Sequence, residues 1–253
     1  WIKNIDFKVN FMSLFELLIL SFFCFFQSIF GVGLLILGTP TFILLGYHYF
    51  EVLNILLPYS IIISTLQIIF YIEKNDTNFI KQFCILSLPP LIIGLLITIF
   101  YKELINFSLL ISIILIIFSL LNLINLKRTI FKIINPNFYL IFMGLLHGLT
   151  NLGGSLLTLI VSNRFNKKEF IRYYIAAGYL IFAIIQLSVI NLFNQNINLS
   201  YLKYLWIPIL IFFISQFFFK KINNVIFYII LNVSTLLYGL FIFANSFNFA
   251  YVI

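Results

Sequence analysis

The chain has 253 residues, 63% hydrophobic and 9% charged, with a mean hydropathy of +1.14 and a formal net charge of +8. A water-soluble domain carries about 25% charged residues, so this composition excludes one. The chain reads as a polytopic membrane protein. Its apolar runs are continuous Ile, Leu and Phe and lack the alternation of an outer-membrane barrel, which leaves helices as the spanning element.

The net positive charge does not indicate nucleic-acid binding, because the Lys and Arg residues fall in short polar segments between apolar runs. There they fix topology and meet anionic headgroups. Cys24 and Cys84 lie inside apolar runs and read as small buried hydrophobes rather than a disulfide or metal pair. The first apolar run is too long for a cleaved leader and lacks a small-residue cleavage site, so no signal peptide is expected. Abundant Ile, Asn, Lys and Phe with scarce Ala is the usage of an AT-rich genome. A bacterial inner membrane is the expected location.

Eight spans are expected, in chain order. The first begins near Met12 and stays apolar to Leu45, about 34 residues or roughly 50 Å as one helix. That exceeds a hydrocarbon core about 30 Å thick, so the run must break. Gly31 to Pro40 is the place, since Gly permits unusual backbone angles and Pro removes a donor. The second span covers Val52 to Ile72 and contains Pro58. The third covers Phe83 to Tyr101 with a Pro89-Pro90 kink, and the fourth Leu104 to Leu126. Lys127-Arg128, Lys132 and Asn135-Pro136 mark the boundary between two halves of one integral membrane domain, residues 1–135 and 136–253. The fifth span covers Phe138 to Val161, the sixth Phe170 to Phe193, the seventh Tyr204 to Phe219 and the eighth Val225 to Phe243. The fold class is therefore all-α, with about eight transmembrane helices as two four-helix repeats whose first helices are broken. Four spans per half is an even number, which predicts halves of one orientation related by an axis along the membrane normal. Lys and Arg are nearly balanced between the two sides, so the positive-inside rule assigns no orientation.

The two halves share an interruption. Gln27-Ser28-Ile29-Phe30-Gly31-Val32-Gly33, then Gly38-Thr39-Pro40, stands in the first. His147-Gly148-Leu149-Thr150-Asn151-Leu152-Gly153-Gly154-Ser155 stands at the matching place in the second. Each is followed by an apolar run that begins near a glutamate (Glu51, Glu169) and carries a mid-span glutamine (Gln67, Gln186). Broken helices at corresponding positions of two halves point to a transporter's substrate site.

No Lys, Arg or carboxylate falls at the centre of an expected span. The interior groups are neutral: Gln27, Ser28, Ser60, Gln67, His147, Thr150, Asn151, Ser155 and Gln186. This argues against a voltage sensor or a carboxylate relay. It suits an oxyanion held by helix N-termini, whose free N–H groups and partial positive charge need no buried Arg. The candidate substrate-binding set is Gln27, Gly31, Gly33, Gln67, His147, Asn151, Gly153, Gly154, Ser155 and Gln186. Each of these polar groups could instead be interhelical glue, and Gly144-x-x-x-Gly148 reads as a close-packing face. His147 is the one interior group that titrates near neutral pH, which makes it the first candidate for proton coupling. No catalytic residue, metal site or cofactor is expected. His147 and Ser155 suggest a serine hydrolase only superficially, because eight residues of helix separate them by about 12 Å.

The Gly31-Val32-Gly33 … Pro40 run and its partner Asn151-Leu152-Gly153-Gly154-Ser155, in a four-plus-four layout over most of the chain, resemble the sulfite exporter TauE/SafE family of membrane permeases. In that family each half opens with a glycine-rich stretch followed by a proline. Here Leu34-Leu35 stands where more glycine is usual, and the second copy has no proline near Ile160. The resemblance implies a secondary permease for sulfite, a sulfonate or a related organosulfur anion. Its partners would be that small anion, the bilayer and a coupling proton or sodium ion. The alternative is a non-transporting membrane subunit or assembly factor, which would have no central polar site.

Overall fold

The computed structural model describes residues 12–71, 76–101, 104, 106–123, 135–193 and 199–246. The mid-chain Lys127-Arg128 and Lys132, the Glu73 to Asn75 loop and part of the Asn-rich loop lie outside the described residues. The described part holds ten α-helices. In the first half they are α1 (Leu14–Phe30), α2 (Leu34–Leu44), α3 (Tyr49–Phe70), α4 (Thr77–Tyr101) and α5 (Phe107–Leu123). In the second half they are α6 (Pro136–Thr150), α7 (Gly153–Arg164), α8 (Lys168–Leu192), α9 (Trp206–Lys221) and α10 (Asn224–Ser246). A 3-10 helix, Leu199–Tyr204, precedes α9. Four stretches are long and apolar enough to cross a membrane: α3, α4, α8 and Tyr201–Lys221.

Helix starts are set by the few polar residues at the edges of apolar runs. The backbone N–H of Glu16 donates to Ser13 Oγ at 3.2 Å, and Ser13 N–H donates back to the Glu16 carboxylate at 2.7 Å, a capping box. His48 N–H donates to Glu51 at 3.0 Å. Asn135 accepts from the Asn137 N–H ahead of α6, with Pro136 at the first helical position. Glu16 and Glu51 therefore satisfy backbone donors at helix starts.

Both interruptions break the helix, and both turn the chain back. α1 ends at Gly31, in the left-handed region at φ 79°. Gly33 follows at φ 133° and packs on the Phe26 ring, while Gly38 abuts Phe23. Residue numbers rise along α2 as they fall along α1, so the two run antiparallel. The hydroxyl of Tyr47, just past α2, donates to Glu16 at the start of α1 at 2.5 Å. The second interruption has the same form. Asn151 is left-handed at φ 63°, and Gly153 packs on His147 and Met143 of α6. Arg164, at the end of α7, pairs with Asp76 at 2.7 Å, beside the start of α4. That start adjoins the start of α6 through Gln82 and Asn137 at 2.5 Å. Pro40, expected within the break, lies inside α2.

These contacts place the hairpins at opposite ends of the bundle. The start of α1, the end of α2 and the start of α3 share one end. The other end gathers Tyr71 against Phe219, Lys168 against the Phe219 and Ile222 carbonyls, and the Asp76–Arg164 pair. Each half thus has a hairpin and three further helices. The two hairpins open towards opposite ends of the described bundle, whereas the expected four-plus-four layout has both halves in one orientation. A segment of 11 or 12 residues spans only about 17 Å, too short to complete a crossing, and its left-handed cap sends it back.

Packing repeats with the same exchange. α6 lies along α4 as α1 lies along α9, and α8 meets α4 as α3 meets α9. α3 packs on α8, α5 on α10 and α2 on α7 across the middle. The α4–α6 seam is close because it is built from small residues. A Cβ at Gly144 would collide with the Ser87 carbonyl, and one at Gly148 with that of Leu91. α2 and the first turns of α7 are buried almost throughout, as helices apolar on all sides must be. Outward residues such as Phe22, Phe100, Trp206 and Phe217 are exposed and suit acyl chains.

Candidate functional site: two hairpin tips

The tip of the first hairpin is held by α3. Gln67 Nε2 donates to the Gln27 carbonyl at 2.8 Å and to that of Ser28 at 3.1 Å. Gln27 Nε2 donates to Ser60 Oγ at 3.0 Å and Ser64 Oγ at 3.4 Å. Carbonyls of the last turn of α1, where helical partners run out, thus receive side-chain donors from the next helix. Gly31 also lies against the backbone of Arg172 on α8, where a Cβ would sit 3.3 Å from the Arg172 carbonyl oxygen.

The tip of the second hairpin follows the same scheme. Gln186 Nε2 donates to the His147 carbonyl at 3.4 Å. His147 Nδ1 accepts the Gly153 N–H at 3.1 Å, and its ring stacks on Phe182 with centroids 4.5 Å apart. A ring nitrogen that accepts carries no proton, so this bond places the proton of neutral His147 on Nε2. His147 Nε2 and the Tyr179 hydroxyl are buried without a hydrogen bond of ordinary geometry among the described residues, as are Gln186 Oε1, on the helix that clamps His147, and Asn151 Oδ1. Tyr179 OH lies over Gly154, where only glycine leaves it room. Ser155 Oγ donates to the Leu152 carbonyl at 2.9 Å and closes the turn rather than facing a cavity.

The hairpins touch through one side-chain bond, from Asn151 Nδ2 to Thr39 Oγ1 at 2.9 Å. α2 and α7 both begin inside the protein, and the N-cap residues Gly33 and Leu152 supply no side-chain cap, although His147 Nδ1 takes the first N–H of α7. Two partial positive charges are therefore presented internally. The tips do not meet head-on: Gly31 adjoins Arg172 and Gly154 adjoins Tyr179, two turns or about 10 Å further along α8. The expected residues fall into two groups. Gln27, Gly31, Gly33 and Gln67 gather at one tip; His147, Gly153, Gly154, Ser155 and Gln186 gather at the other. Asn151 joins the hairpins.

Two further residues stand at these tips. Tyr179 reads in the sequence as one more aromatic. Arg172 reads as a charge near the edge of the expected sixth span, yet it is fully buried in the second turn of α8. The interior is therefore not wholly neutral, contrary to expectation. One signal was available: Arg172, Tyr179 and Gln186 recur every seven residues and share one face of α8.

The fold and its tips define a multi-pass helical membrane protein whose unanswered polar groups collect at two broken helices. The family profile described as "Sulfite exporter TauE/SafE" matches residues 17–242, nearly the whole chain, and the chain belongs to that family. Its members are membrane permeases for sulfur anions, not enzymes. Comparison with curated proteins and with solved structures yields no match.

Proposed function

We propose that this protein is a secondary permease for a small oxyanion, with sulfite or a short sulfonate as the favoured substrate, in a bacterial inner membrane. The two repeats, 1–135 and 136–253, would alternate access by moving against one another, driven by a proton or sodium gradient or by the substrate's own gradient. The observation that carries the reading is the pair of buried donors at the second tip, His147 Nε2 and Tyr179 OH, beside the start of α7. Buried polar groups are ordinarily answered, and donors grouped at a helix N-terminus suit an anion's oxygens. Gln27, Gly31, Gly33, Gln67, Asn151, Gly153, Gly154, Ser155 and Gln186 would shape and hold the two tips.

The matching clamps at the two tips support movement of the hairpins as units, since each glutamine fixes a tip to the long helix that follows it. Proteoliposomes loaded with labelled sulfite, methanesulfonate or sulfate test the reading. Saturable efflux of one of them, competed by the others, is the expected result. Absence of carrier-dependent flux for every anion would overturn it in favour of a non-transporting subunit.

A further inference from the structure

The first tip differs from the second in one respect that the repeat does not require. By the offset that relates Gln67 to Gln186, the counterpart of Arg172 is Leu53, a buried apolar residue. One tip therefore carries a full positive charge and the other does not.

Arg172 is fully buried. Its Nη1 donates to the Ser28 carbonyl at 3.0 Å and to Gln216 Oε1 at 3.1 Å. Its guanidinium carbon lies 3.5 Å from the Phe219 ring centroid and 4.0 Å from that of Tyr71. No carboxylate pairs with it: among the described residues the ion pair is Arg164 with Asp76, and Glu169 one turn earlier acts only from a distance. Lys168 is engaged elsewhere, donating to the Phe219 and Ile222 carbonyls at the end of α9. Nε and Nη2 of Arg172 are buried and have no partner among the described residues. Those two nitrogens form one edge of the guanidinium, the edge that meets two oxygens of a carboxylate, phosphate or sulfonate side by side. Ser28 Oγ, beside the Ser28 carbonyl that Arg172 holds, is likewise buried and unanswered.

A structural role accounts for the Nη1 side. Two neutral acceptors and two rings fix the side chain and tie the first hairpin to α8 and α9. They do not neutralise the charge, and a buried cation with no counter-charge among the described residues costs several kcal/mol. A buried cation whose bidentate edge has no partner among the described residues is better explained by a bound anion.

We infer that Arg172 forms a charged oxyanion subsite at the tip of the first hairpin, distinct from the uncharged donors at the second, and that its Nε–Nη2 edge takes two oxygens of a sulfite- or sulfonate-type anion. This deepens the transport reading and rests on it for the class of anion. Its position by Tyr71 and the end of α9 puts the subsite towards the end of the bundle opposite the start of α1. A planar fork that takes two oxygens at once favours oxyanions over halides, so the subsite discriminates sulfite or methanesulfonate from chloride.

Binding in detergent separates this inference from transport. Purified wild-type protein is titrated with sulfite, methanesulfonate and chloride, and its thermal midpoint is followed. The expected result is a saturable rise with the two oxyanions and little with chloride, lost in Arg172→Gln. Arg172→Lys, which keeps the charge and can still reach the Ser28 carbonyl, should weaken oxyanion binding about tenfold or more because it lacks the fork. If Arg172→Gln does not fold, Arg172→Lys decides. Oxyanion affinity equal to wild type in either folded variant would overturn the inference, as would a wild-type protein that no oxyanion stabilises. Binding that depends on Arg172 without flux in proteoliposomes would leave the subsite standing and remove the transport reading. Flux that is indifferent to Arg172 would do the reverse.

Discussion

Asn151 donates from its side-chain amide to the hydroxyl of Thr39 at 2.9 Å, and by that bond the tip of one broken helix is fastened to the returning arm of the other. The same residue holds a left-handed backbone at φ 63°, so it serves both the turn and the link between repeats. Asn tolerates that backbone region better than most residues with a Cβ.

The two roles of Asn151 separate by substitution. Asn151→Gly keeps the turn and removes the link; Asn151→Leu removes the link and strains the turn. We predict that both abolish substrate flux in proteoliposomes and that only Asn151→Leu lowers the thermal midpoint strongly. An interhelical polar bond in a membrane protein contributes about 0.6 kcal/mol on average, so loss of the link alone should be mild for stability. Wild-type flux in Asn151→Gly would show that the link is dispensable.

The glutamine clamps make a second pair of variants informative. Gln67→Leu and Gln186→Leu each leave a carbonyl at a hairpin tip without its side-chain partner. Each should reduce flux at least tenfold while protein still reaches the membrane. The Gln27 carbonyl also accepts the Gly31 N–H at 2.7 Å, and that of His147 the Asn151 N–H at 2.8 Å. The turns themselves should therefore persist, and trypsin-resistant cores should match wild type. Collapse of the core fragment in either variant would contradict a positioning role.

At the α4–α6 seam the prediction concerns stability. Gly148→Ala would drive a Cβ into the Leu91 carbonyl and Gly144→Ala into that of Ser87. Backbone cannot yield as a flexible side chain can, so each should destabilise by about 1–3 kcal/mol, as overpacking does. Gly46→Ala, whose added Cβ meets nothing within 4 Å, should cost less, its penalty coming only from φ 92°. Thermal unfolding in detergent measures the order.

The Asp76–Arg164 pair gives a pH dependence of known sign. The Phe79 N–H donates to Asp76 at 3.0 Å and Arg164 pairs with it at 2.7 Å; these hold its carboxyl below the ordinary 3.8. A depressed carboxylate adds stability that is present at neutral pH and lost as pH falls through its folded-state value. Asp76→Asn should therefore unfold at a lower temperature than wild type at pH 7, with the gap closing below about pH 3.8. A gap that is constant down to pH 3 would show that the ion pair is not its source. The pair is partly exposed, so the effect should be small and fall with added salt.

Helix positions and both breaks were legible in the sequence because each depends on local chemistry. Gly31, Gly33 and Asn151-Leu152-Gly153 permit backbone angles that end a helix. Ser13, Glu16, Glu51 and Asn135 mark where helices start. Orientation of the halves was not legible. Whether α2 continues or returns depends on Gly33 seating on Phe26 and on Tyr47 reaching Glu16, contacts made across the hairpin. The sequence leaves Thr41 to Leu45 as a short half-helix or a re-entrant turn, and these contacts are what show the segment running back along α1. Arg172 escaped for a related reason. It stands near the edge of its apolar run, and the groups that bury it come from Ser28, Tyr71, Gln216 and Phe219, distant in the chain.

The two hairpins open towards opposite ends of the described bundle, and we predict that they insert from opposite sides of the membrane. Replacing Cys24 and Cys84 and introducing Leu45→Cys or Asn166→Cys, at exposed sites past the end of α2 and of α7, allows labelling with a membrane-impermeant maleimide. In sealed vesicles of one orientation, the account predicts that one position labels directly and the other only after permeabilisation, with the order reversed in inverted vesicles. Labelling of both positions from the same side would contradict it.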